Sequence, residues 1–473
     1  MGIDSNDRLY LAGNYGSFYN ANRYGPYDTT LFIDTLVVTS GGTRAFLMCI
    51  DTSGKRIWRK FYPPDYSMSI QSFAVNRGGK MVIMGDYGDT LRLDGQTLTE
   101  PWSNSSRHFI ARLDTNGTTQ MLRGAYSAPL LHECHINERE EIYITGAFSG
   151  WVKFDSIRLN SQSTGAVIET GFVAKFDSTG VAKWVRGVYG HMPPSGPSVF
   201  GTVSLWNITE QPNGNILLTG NYYTCSVSAG NNRFTLPFSG QNTPFIICLD
   251  SFGNPVWIKG AQPEVETTIG RVVSDTANNI YCTGSTYDPT VWGSDTVSWG
   301  NTTLHTDAFL YKLNPMGKLL WARFAGSSGH DGGGCPLLTA DGTAVYIAGV
   351  SEGPDSMNFG SFKRPTAGVF TLFVAKTGTE ALSVEGIPQG SDFPLTLFPN
   401  PAGETITARF GETVVLREGL VVDVAGQVRL QMTAPPNHGS EVKVPVGLLS
   451  PGQYFLVLTA KDGSRAVQSF TRF

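Results

Sequence analysis

One pattern of apolar and polar positions recurs five times along the chain. Each copy has an apolar segment, a turn of the form D-x-x-G and a second apolar segment, as in FVAKFDSTGVAKWVRG. The copies begin at residues 46, 109, 172, 245 and 309, so they recur every 63 to 73 residues, and the last has Asn in place of Asp. Asp favours the first position of a turn, and Gly supplies the positive φ at its end. The pattern therefore predicts a β-hairpin in each period.

A large apolar residue stands four positions after each turn glycine. Trp occupies this position in four copies and Met in one: Trp58, Met121, Trp184, Trp257 and Trp321. A large side chain at a fixed distance from a turn indicates a buried packing position, and we interpret the Trp, Gly and Asp of the phrase as scaffold. A calcium role for the turns is disfavoured because each offers one carboxylate without the closer acidic spacing of a calcium loop.

A second phrase, ending in Gly, precedes the first in every period. Its six copies are RLYLAG (8–13), KMVIMG (80–85), EIYITG (141–146), NILLTG (215–220), NIYCTG (279–284) and AVYIAG (344–349). Most copies follow another short strand and turn, so one period holds four strands, a to d. The longer connection from b to c carries its own apolar motif, as in LDGQTL and FDSIRL, which predicts an extra short hairpin.

Four antiparallel strands repeated about six times predict an all-β fold, a β-propeller of six blades, or of seven if the chain is truncated at its N-terminus. A four-stranded sheet cannot bury both faces alone, whereas stacked blades bury them against each other. A β-solenoid would have a shorter period, and separate sandwiches would need longer units with linkers. The two phrases resemble the bacterial β-propeller repeat called SBBP-like, found in secreted surface proteins, over residues 4–376. That resemblance implies the fold and says almost nothing about activity.

The repeated sequence pattern ends near the C-terminus, and a different pattern follows. We predict a propeller over residues 1–386, a linker over 387–392 and a small Ig-like β-sandwich of six or seven strands over 393–473, where YFLVLTA and ETITARF alternate as half-buried strands do. This block resembles the type A C-terminal sorting domain of proteins exported by the type IX secretion system of Bacteroidetes. The matching residues are Pro399, Asn400, Pro401, Asp423, Gly426, Gln427, Leu449, Pro451, Gly452, Tyr454 and Arg465.

The sorting-domain resemblance implies a secreted or outer-membrane surface protein. In that family the translocon reads the domain, which is then usually removed as the cargo is attached to surface lipopolysaccharide or released. An ordinary Ig-like module for adhesion or spacing is the alternative. The N-terminus, MGIDSNDRLYLAG, lacks the basic head and apolar stretch of a signal peptide. A truncated or misassigned start would explain this, and also why the chain opens at the end of a strand a.

The amino-acid composition limits the classes of partner that this chain is expected to bind. Only 16% of residues are charged and the formal net charge is −4, which argues against a nucleic-acid partner. No apolar run approaches the roughly 20 residues of a membrane span. The six cysteines form no C-x-x-C pair, and we expect most of them to be small buried apolar residues, so they do not fix the redox compartment.

Blade topology predicts where a ligand would bind. The a–b and c–d turns share one rim and are tight, whereas the long b–c and d–a connections share the other rim, so a site is expected on that loop face. The candidate ligand-binding residues on these loops are Tyr62, Tyr66, Tyr126, Tyr189, His191, His330 and Asp331. The tyrosines would make a stacking platform for an unknown glycan or protein ligand; the alternative is that they pack over the blade tops.

The segment HECH (132–135) contains three types of metal ligand. On a regular strand, His132 and Cys134 would lie on one face and Glu133 and His135 on the other, so four ligands would not meet at one ion. We therefore predict no metal and no cofactor. Nor does the chain contain a G-x-S-x-G elbow, an H-E-x-x-H pair or a phosphate-binding loop.

These observations favour a non-enzymatic binding or interaction module exported through the type IX machinery. Two alternatives stay open. One is a secreted polysaccharide- or peptide-degrading enzyme with carboxylates gathered at the propeller mouth, for which the positions to inspect are Asp65, Glu264, Glu266, His330 and Asp331. The other is a structural surface spacer without a ligand. A cluster of two or more carboxylates on the loop face would favour the enzyme.

Overall fold

The structure, a computed structural model, is all-β in the residues that it describes. These are residues 2–15, 31–33, 36–38, 44–62, 68–99, 107–125, 129–163, 167–192, 200–230, 234–261, 267–287, 290–292, 295–297, 305–352, 356–359, 362–365, 370–379, 393–411, 414–423, 428–433, 440–449 and 452–472. The chain divides into two compact units, Met1–Thr377 and Gly378–Phe473. The predicted linker, 387–392, lies outside the described residues.

The first unit contains six successive repeats. The first comprises β1 (Gly2–Ile3), β2 (Leu9–Tyr15), β3 (Leu31–Ile33), β4 (Leu36–Val38), β5 (Arg44–Ile50) and β6 (Arg56–Phe61). The second comprises β7 (Ser69–Val75), β8 (Met81–Tyr87), β9 (Thr90–Leu93), β10 (Gln96–Thr99), β11 (Arg107–Leu113) and β12 (Thr119–Ala125). The third comprises β13 (Leu130–Ile136), β14 (Ile142–Phe148), β15 (Trp151–Phe154), β16 (Ile157–Asn160), β17 (Val167–Phe176) and β18 (Ala182–His191).

The other three repeats follow the same order. The fourth comprises β19 (Gly201–Glu210), β20 (Ile216–Tyr223), β21 (Cys225–Ala229), β22 (Phe234–Ser239), β23 (Thr243–Leu249) and β24 (Pro255–Gly260). The fifth comprises β25 (Thr267–Ser274), β26 (Ile280–Thr286), β27 (Thr290–Trp292), β28 (Asp295–Val297), β29 (Asp307–Leu313) and β30 (Leu319–Gly326). The sixth comprises β31 (His330–Leu338), β32 (Ala344–Glu352), β33 (Ser356–Phe359), β34 (Phe362–Pro365) and β35 (Thr371–Gly378).

Each repeat forms one antiparallel sheet. In the first five repeats, strands one, two, five and six pair in that order and are the predicted strands a to d; we call these sheets 1 to 5. Sheet 6 has three described strands, β31, β32 and β35. The chain between strands b and c forms a separate hairpin in all six repeats, such as β9–β10 and β15–β16, which confirms the predicted extra hairpin.

These hairpins reach back to the outer strand of the preceding sheet. Strand β21 pairs with β18, and β33 pairs with β30. In the second repeat, the hairpin turn residue Asp94 forms an ion pair with Lys60 of β6, and the Nζ and Oδ2 atoms lie 2.5 Å apart. An unpaired edge strand is a site for aggregation. The hairpins therefore cover the edges that strand d would otherwise expose.

The core lies between successive sheets. Separate buried clusters join sheet 1 to 2, 2 to 3, 3 to 4, 4 to 5 and 5 to 6. In sheets 2 to 5, strands b and c are covered on both faces, and every residue of β14, β23 and β29 is buried. Because both faces are covered, these strands carry continuous apolar runs rather than simple alternation.

The D-x-x-G turns form as predicted, with Asp at the first position and Gly at positive φ at the end. At Asp177 the carbonyl oxygen accepts the N–H of Gly180 at 2.9 Å, and Oδ1 accepts the N–H groups of Thr179 and Val181 at 2.9 and 3.0 Å. Gly180 has φ +82°, a conformation that few other residues adopt at low cost. These bonds and the ion pair with Lys183 lower the pKa of Asp177 far below its usual range, although burial opposes them.

Sheet 6 exposes the face that sheets 1 to 5 bury against their successors. In strand c of sheet 5, Leu310 is 1% exposed and lies in the cluster shared with sheet 6. The corresponding residue in sheet 6 is Val374, which is 74% exposed, and its neighbour Leu372 is 85% exposed. The described packing links sheets 1 to 6 in series, and the closed ring with six blades stays a prediction.

All six cysteines are unpaired, and five of them are buried: Cys49, Cys134, Cys225, Cys248 and Cys282. Burial raises the pKa of these thiols, which keeps them protonated and unreactive. Cys335 is exposed. Most of the cysteines are therefore small core residues, as the sequence predicted.

In its described residues, the second unit is a β-sandwich of seven strands. One sheet contains β36 (Thr396–Phe398), β37 (Thr405–Arg409) and β40 (Glu441–Pro445); the other contains β38 (Leu416–Asp423), β39 (Val428–Thr433), β41 (Gly452–Ala460) and β42 (Arg465–Arg472). The core lies between the sheets and includes Ile406, Val444 and Leu456, which are fully buried. The alternation seen in ETITARF and YFLVLTA thus marks strands with one covered face.

Candidate functional site

A β-bulge occurs at the same place in strand a of sheets 2 to 6. The pairing with strand b shifts by one residue between the following pairs: Ile70 and Ser72, Leu131 and Glu133, Leu205 and Asn207, Ile269 and Val272, and Gly333 and Cys335. Each bulge lies opposite the glycine that ends the strand-b phrase. In sheets 2 to 5 the residue 14 positions before that glycine is the bulge residue: Gln71, His132, Trp206 and Gly270.

The repeated glycine is required by the bulge. A Cβ at Gly146 would overlap the carbonyl oxygen of Leu130, and a Cβ at Gly284 would overlap that of Thr268. The residue before the glycine also contacts a bulge, because Thr219 and Thr283 donate their hydroxyls to bulge carbonyls of the next sheet, Gly270 at 3.4 Å and Gly334 at 3.0 Å. T-G is the form that this motif takes in sheets 3 to 5, whereas Met84–Gly85 and Ala348–Gly349 lie opposite the bulges of sheets 2 and 6.

The bulges build a cavity of about 450 Å³ from five consecutive sheets. Its volume lies in the range of ligand sites, roughly 300–1,000 Å³. Among the described residues, the lining consists of Ala12 and Gly13 from sheet 1 and of strand-a residues of sheets 2 to 5: Ile70, Gln71, Ser72, Phe73, His132, Glu133, Trp206, Asn207 and Arg271. A polar set is thus concentrated where successive inner strands meet.

Glu133 connects three sheets at this cavity. The side chain, only 8% exposed, forms an ion pair with Arg271 of sheet 5 and accepts the backbone N–H of Ile208 of sheet 4 at 3.1 Å. Burial raises the pKa of Glu133, and the charge of Arg271 opposes that rise. The side chain of Arg271 remains 55% exposed and lines the cavity, so its guanidinium has further N–H donors available there.

His132 and Trp206 form a stacked pair. Their rings lie 4.1 Å apart, centroid to centroid, at an interplanar angle of 11°. The Nδ1 of His132 donates to the carbonyl oxygen of Leu205 at 2.7 Å, and burial lowers the pKa of His132, so the ring is neutral with Nε2 as an acceptor. Trp206 is 47% exposed. Because His132 covers one face of the indole, solvent reaches it from the other side.

The HECH segment departs from the regular strand expected from sequence. His132 is the bulge residue, so both His132 and Glu133 line the cavity instead of facing opposite ways. Cys134 contacts sheet 2, where its N–H donates to Ser72 Oγ at 3.1 Å. His135 lies near Glu210, with Nε2 and Oε2 3.9 Å apart. In the described part of the chain, no group of three or more His, Cys, Asp or Glu residues has metal-site geometry.

The loop residues predicted from sequence occupy several environments. Tyr62 and Tyr189 are buried in the cores of the first unit, and Tyr66 and Tyr126 lie outside the described residues. His191, at the end of β18, has its Nε2 2.6 Å from Ser228 Oγ of β21, the hairpin strand of the following repeat that pairs with β18. In sheet 6, His330 Nδ1 accepts from Thr306, while the buried Asp331 accepts the N–H of Ser327 at 2.5 Å. Their role in ligand binding stays a prediction.

None of the five residues of this set that the structure describes is in the cavity lining. The candidate carboxylates Asp65, Glu264 and Glu266 also lie outside the described residues. Sequence reasoning missed the cavity because it assigned binding to loops. The signal that could have found it is the glycine that ends the strand-b phrase, since its repeated spacing from an inner-strand residue in sheets 2 to 5 indicates a recurring bulge.

In the second unit, the PNP segment is fastened to the last strand. Asn400 Oδ1 accepts the N–H of Thr471 at 2.9 Å, and its Nδ2 donates to the carbonyl of Ser469 at 3.3 Å. Tyr454 is buried and stacks on Phe470, with centroids 5.8 Å apart. Gly452 and Arg465 begin β41 and β42, and Asp423 ends β38. Gly426 and Pro451 lie outside the described residues.

Comparison with known families decides the role of this unit. Residues 396–470 match the secretion system C-terminal sorting domain. The sorting domain is of the type IX pathway, so the chain is a secreted or outer-membrane surface protein that interacts with the type IX machinery. Across the described residues, no helix is present that could span a membrane.

Other comparisons add little. No curated protein matches the chain. Among solved structures, the exotype rhamnogalacturonan lyase YesX is 11% identical at a TM-score of 0.27, covering 99% of this chain and 86% of its own. A protein of unknown function from Bacteroides caccae is 9% identical at a TM-score of 0.24, covering 59% and 89%. At such low TM-scores, these likenesses indicate neither a shared fold nor a shared activity. The SBBP-like resemblance of residues 4–376 stays a prediction.

Proposed function

We propose that the first unit is a non-enzymatic binding module of a surface or secreted protein, and that the bulge-lined cavity is its ligand site. One observation carries the proposal: Gln71, His132, Trp206 and Arg271, from four consecutive sheets, meet at one cavity. A bulge re-aims side chains and interrupts strand pairing, so bulges next to one another indicate a built site.

The chemistry of the lining favours binding over catalysis. Glycosidic hydrolysis uses a pair of carboxyl groups. The described lining contains one, Glu133, which is committed to an ion pair with Arg271 and to the N–H of Ile208. A structural spacer would not require a cavity in which the side chains of Trp206 and Arg271 are half exposed.

An array experiment tests the proposal. The full chain is applied to glycan and peptide arrays beside the double variant Trp206→Ala/Arg271→Ala and a control, Phe252→Ala, whose side chain is exposed in a turn away from the cavity. We expect the wild type and the control to be retained by one class of probe, and the double variant to be lost from it. Conversion of a probe to products would establish the enzyme instead, and silence of the wild type would favour the spacer.

A further inference from the structure

We infer that the cavity binds a neutral sugar residue of a soluble or surface polysaccharide, stacked on the open side of Trp206. The inference rests on the proposed function, because it names the ligand class of that same site. Three properties of the cavity lead to it: an accessible indole, donors and acceptors around it, and a balanced charge.

The indole provides a flat apolar surface in an otherwise polar cavity. His132 fixes its orientation by stacking on one side, at 4.1 Å and 11°, so Trp206 is held in place before a ligand arrives. One face of a pyranose ring presents C–H bonds, which carry a small positive charge and are attracted to the negative face of an aromatic ring. A preorganised aromatic side chain loses little conformational entropy on binding.

The groups around the indole match sugar hydroxyls. Each hydroxyl is both a donor and an acceptor. The half-exposed Arg271 supplies guanidinium donors, the Nε2 of neutral His132 supplies an acceptor, and the exposed Gln71, whose Nε2 donates to Asp86 Oδ2 at 2.5 Å, supplies its Oε1 as a further acceptor. A ligand with several hydroxyls can satisfy this mixed set, whereas a purely apolar ligand would leave these groups unpaired.

The charge of the lining favours a neutral ligand. The carboxylate of Glu133 and the guanidinium of Arg271 neutralise each other, and His132 carries no charge. A cationic ligand would be repelled by the nearby charge of Arg271, and an anionic ligand would have to compete with Glu133 for the guanidinium of Arg271. A charged group moved from water to a site without a free counter-charge loses its hydration uncompensated. A neutral hexose or pentose unit avoids that loss.

The test is a titration of the full chain with neutral gluco-, manno-, galacto- and xylo-oligosaccharides by isothermal calorimetry. Trp206→Ala should weaken binding of the preferred series between about fivefold and a hundredfold, the range that removal of one stacked ring gives. Trp206→Phe should retain most of the affinity, and Phe252→Ala should bind as the wild type does. Thermal unfolding of each variant checks that the fold is intact.

The outcomes separate the two proposals. Binding of a peptide, and of no neutral oligosaccharide, with loss in Trp206→Ala would overturn the sugar inference and leave the binding site standing. Stronger binding of acidic oligosaccharides, abolished by Arg271→Ala, would also overturn it. Sugar binding unchanged in Trp206→Ala would place the sugar elsewhere on the chain and refute the inference. No binding of any probe by the wild type would remove both proposals.

Discussion

The indole Nε1 of Trp257 in sheet 4 donates a hydrogen bond of 2.9 Å to the carbonyl oxygen of Pro315, in the turn of sheet 5. The ring also covers the turn glycine, since a Cβ at Gly317 would lie 3.0 Å from it. Trp58 and Trp184 make the same bond to the next turn, at 2.9 and 3.3 Å. The Trp and the Gly of the repeated phrase therefore contact each other between neighbouring sheets, which explains why both recur.

This relationship predicts different costs for two otherwise similar substitutions. Trp257→Phe should lose the bond to the carbonyl oxygen of Pro315. Trp321→Phe should lose no such bond, because the buried Nε1 of Trp321 has no hydrogen-bond partner in the described part of the chain. We expect Trp257→Phe to lower the free energy of unfolding by about 1 kcal/mol more than Trp321→Phe does. Urea unfolding followed by circular dichroism measures the difference.

Two alanine variants supply the scale for that comparison. Trp257→Ala should cost about 3–5 kcal/mol, as removal of a buried aromatic ring does. Trp206→Ala, at a half-exposed indole, should cost far less. Equal costs for Trp257→Phe and Trp321→Phe would show that the indole bond to the next turn contributes nothing.

The bulge gives a second prediction. Gly146→Ala forces a Cβ onto the carbonyl of Leu130, so strand a must move and the bulge at His132 must shift. We expect a loss of several kcal/mol, of the order seen for a strained or overpacked core site. Gly240→Ala is the matched control, because a Cβ there meets nothing within 4 Å. A thermal shift of similar size in both variants would contradict the role given to Gly146.

The repeat and the propeller-like order of strands could be predicted from sequence because they depend on local patterns. D-x-x-G fixes a turn through its own backbone and Asp177 carboxylate, and the apolar runs fix buried strands. The cavity could not be predicted so directly. A bulge such as the one at His132 changes which face a side chain occupies, and strand periodicity alone does not reveal the change. Nor does it reveal that Glu133 pairs with Arg271, two repeats later.

His135 gives a prediction on pH dependence. Burial and the nearby charge of Arg271 lower its pKa from 6.5 to about 4. Between these values the unfolded chain binds a proton at His135 and the folded chain does not. The titration of His135 therefore leaves the free energy of unfolding unchanged above pH 6.5 and lowers it as the pH falls toward 4. His135→Gln should therefore flatten the fall in unfolding free energy on acidification from about pH 6.5 to about pH 4. Urea titrations across this range measure the slope, and parallel curves for variant and wild type would refute the shift.

The sorting domain gives a prediction on export. Removal of residues 393–473 should leave the protein in the periplasm, because the type IX machinery has lost the unit it recognises. Asn400→Ala is a finer test, since it removes both bonds that hold the PNP segment to the last strand. We expect it to destabilise the second unit by about 1–3 kcal/mol and to reduce surface display. Protease accessibility on intact cells measures display, and unchanged display after the deletion would contradict the role of the domain.

The last prediction concerns the uncovered face of sheet 6. Lys376 lies over the ring of Tyr346 at 5.3 Å, as Lys312 lies over Tyr281 at 5.4 Å in sheet 5, so sheet 6 has the same side chains that sheet 5 uses against its successor. If the series of sheets is open in solution, Val374→Ala should change the free energy of unfolding by less than about 0.5 kcal/mol, as at other exposed positions. Leu310→Ala, its buried counterpart, should cost about 2–5 kcal/mol. A cost for Val374→Ala close to that of Leu310→Ala would show that the face is covered, as the closed ring predicted from the repeats requires.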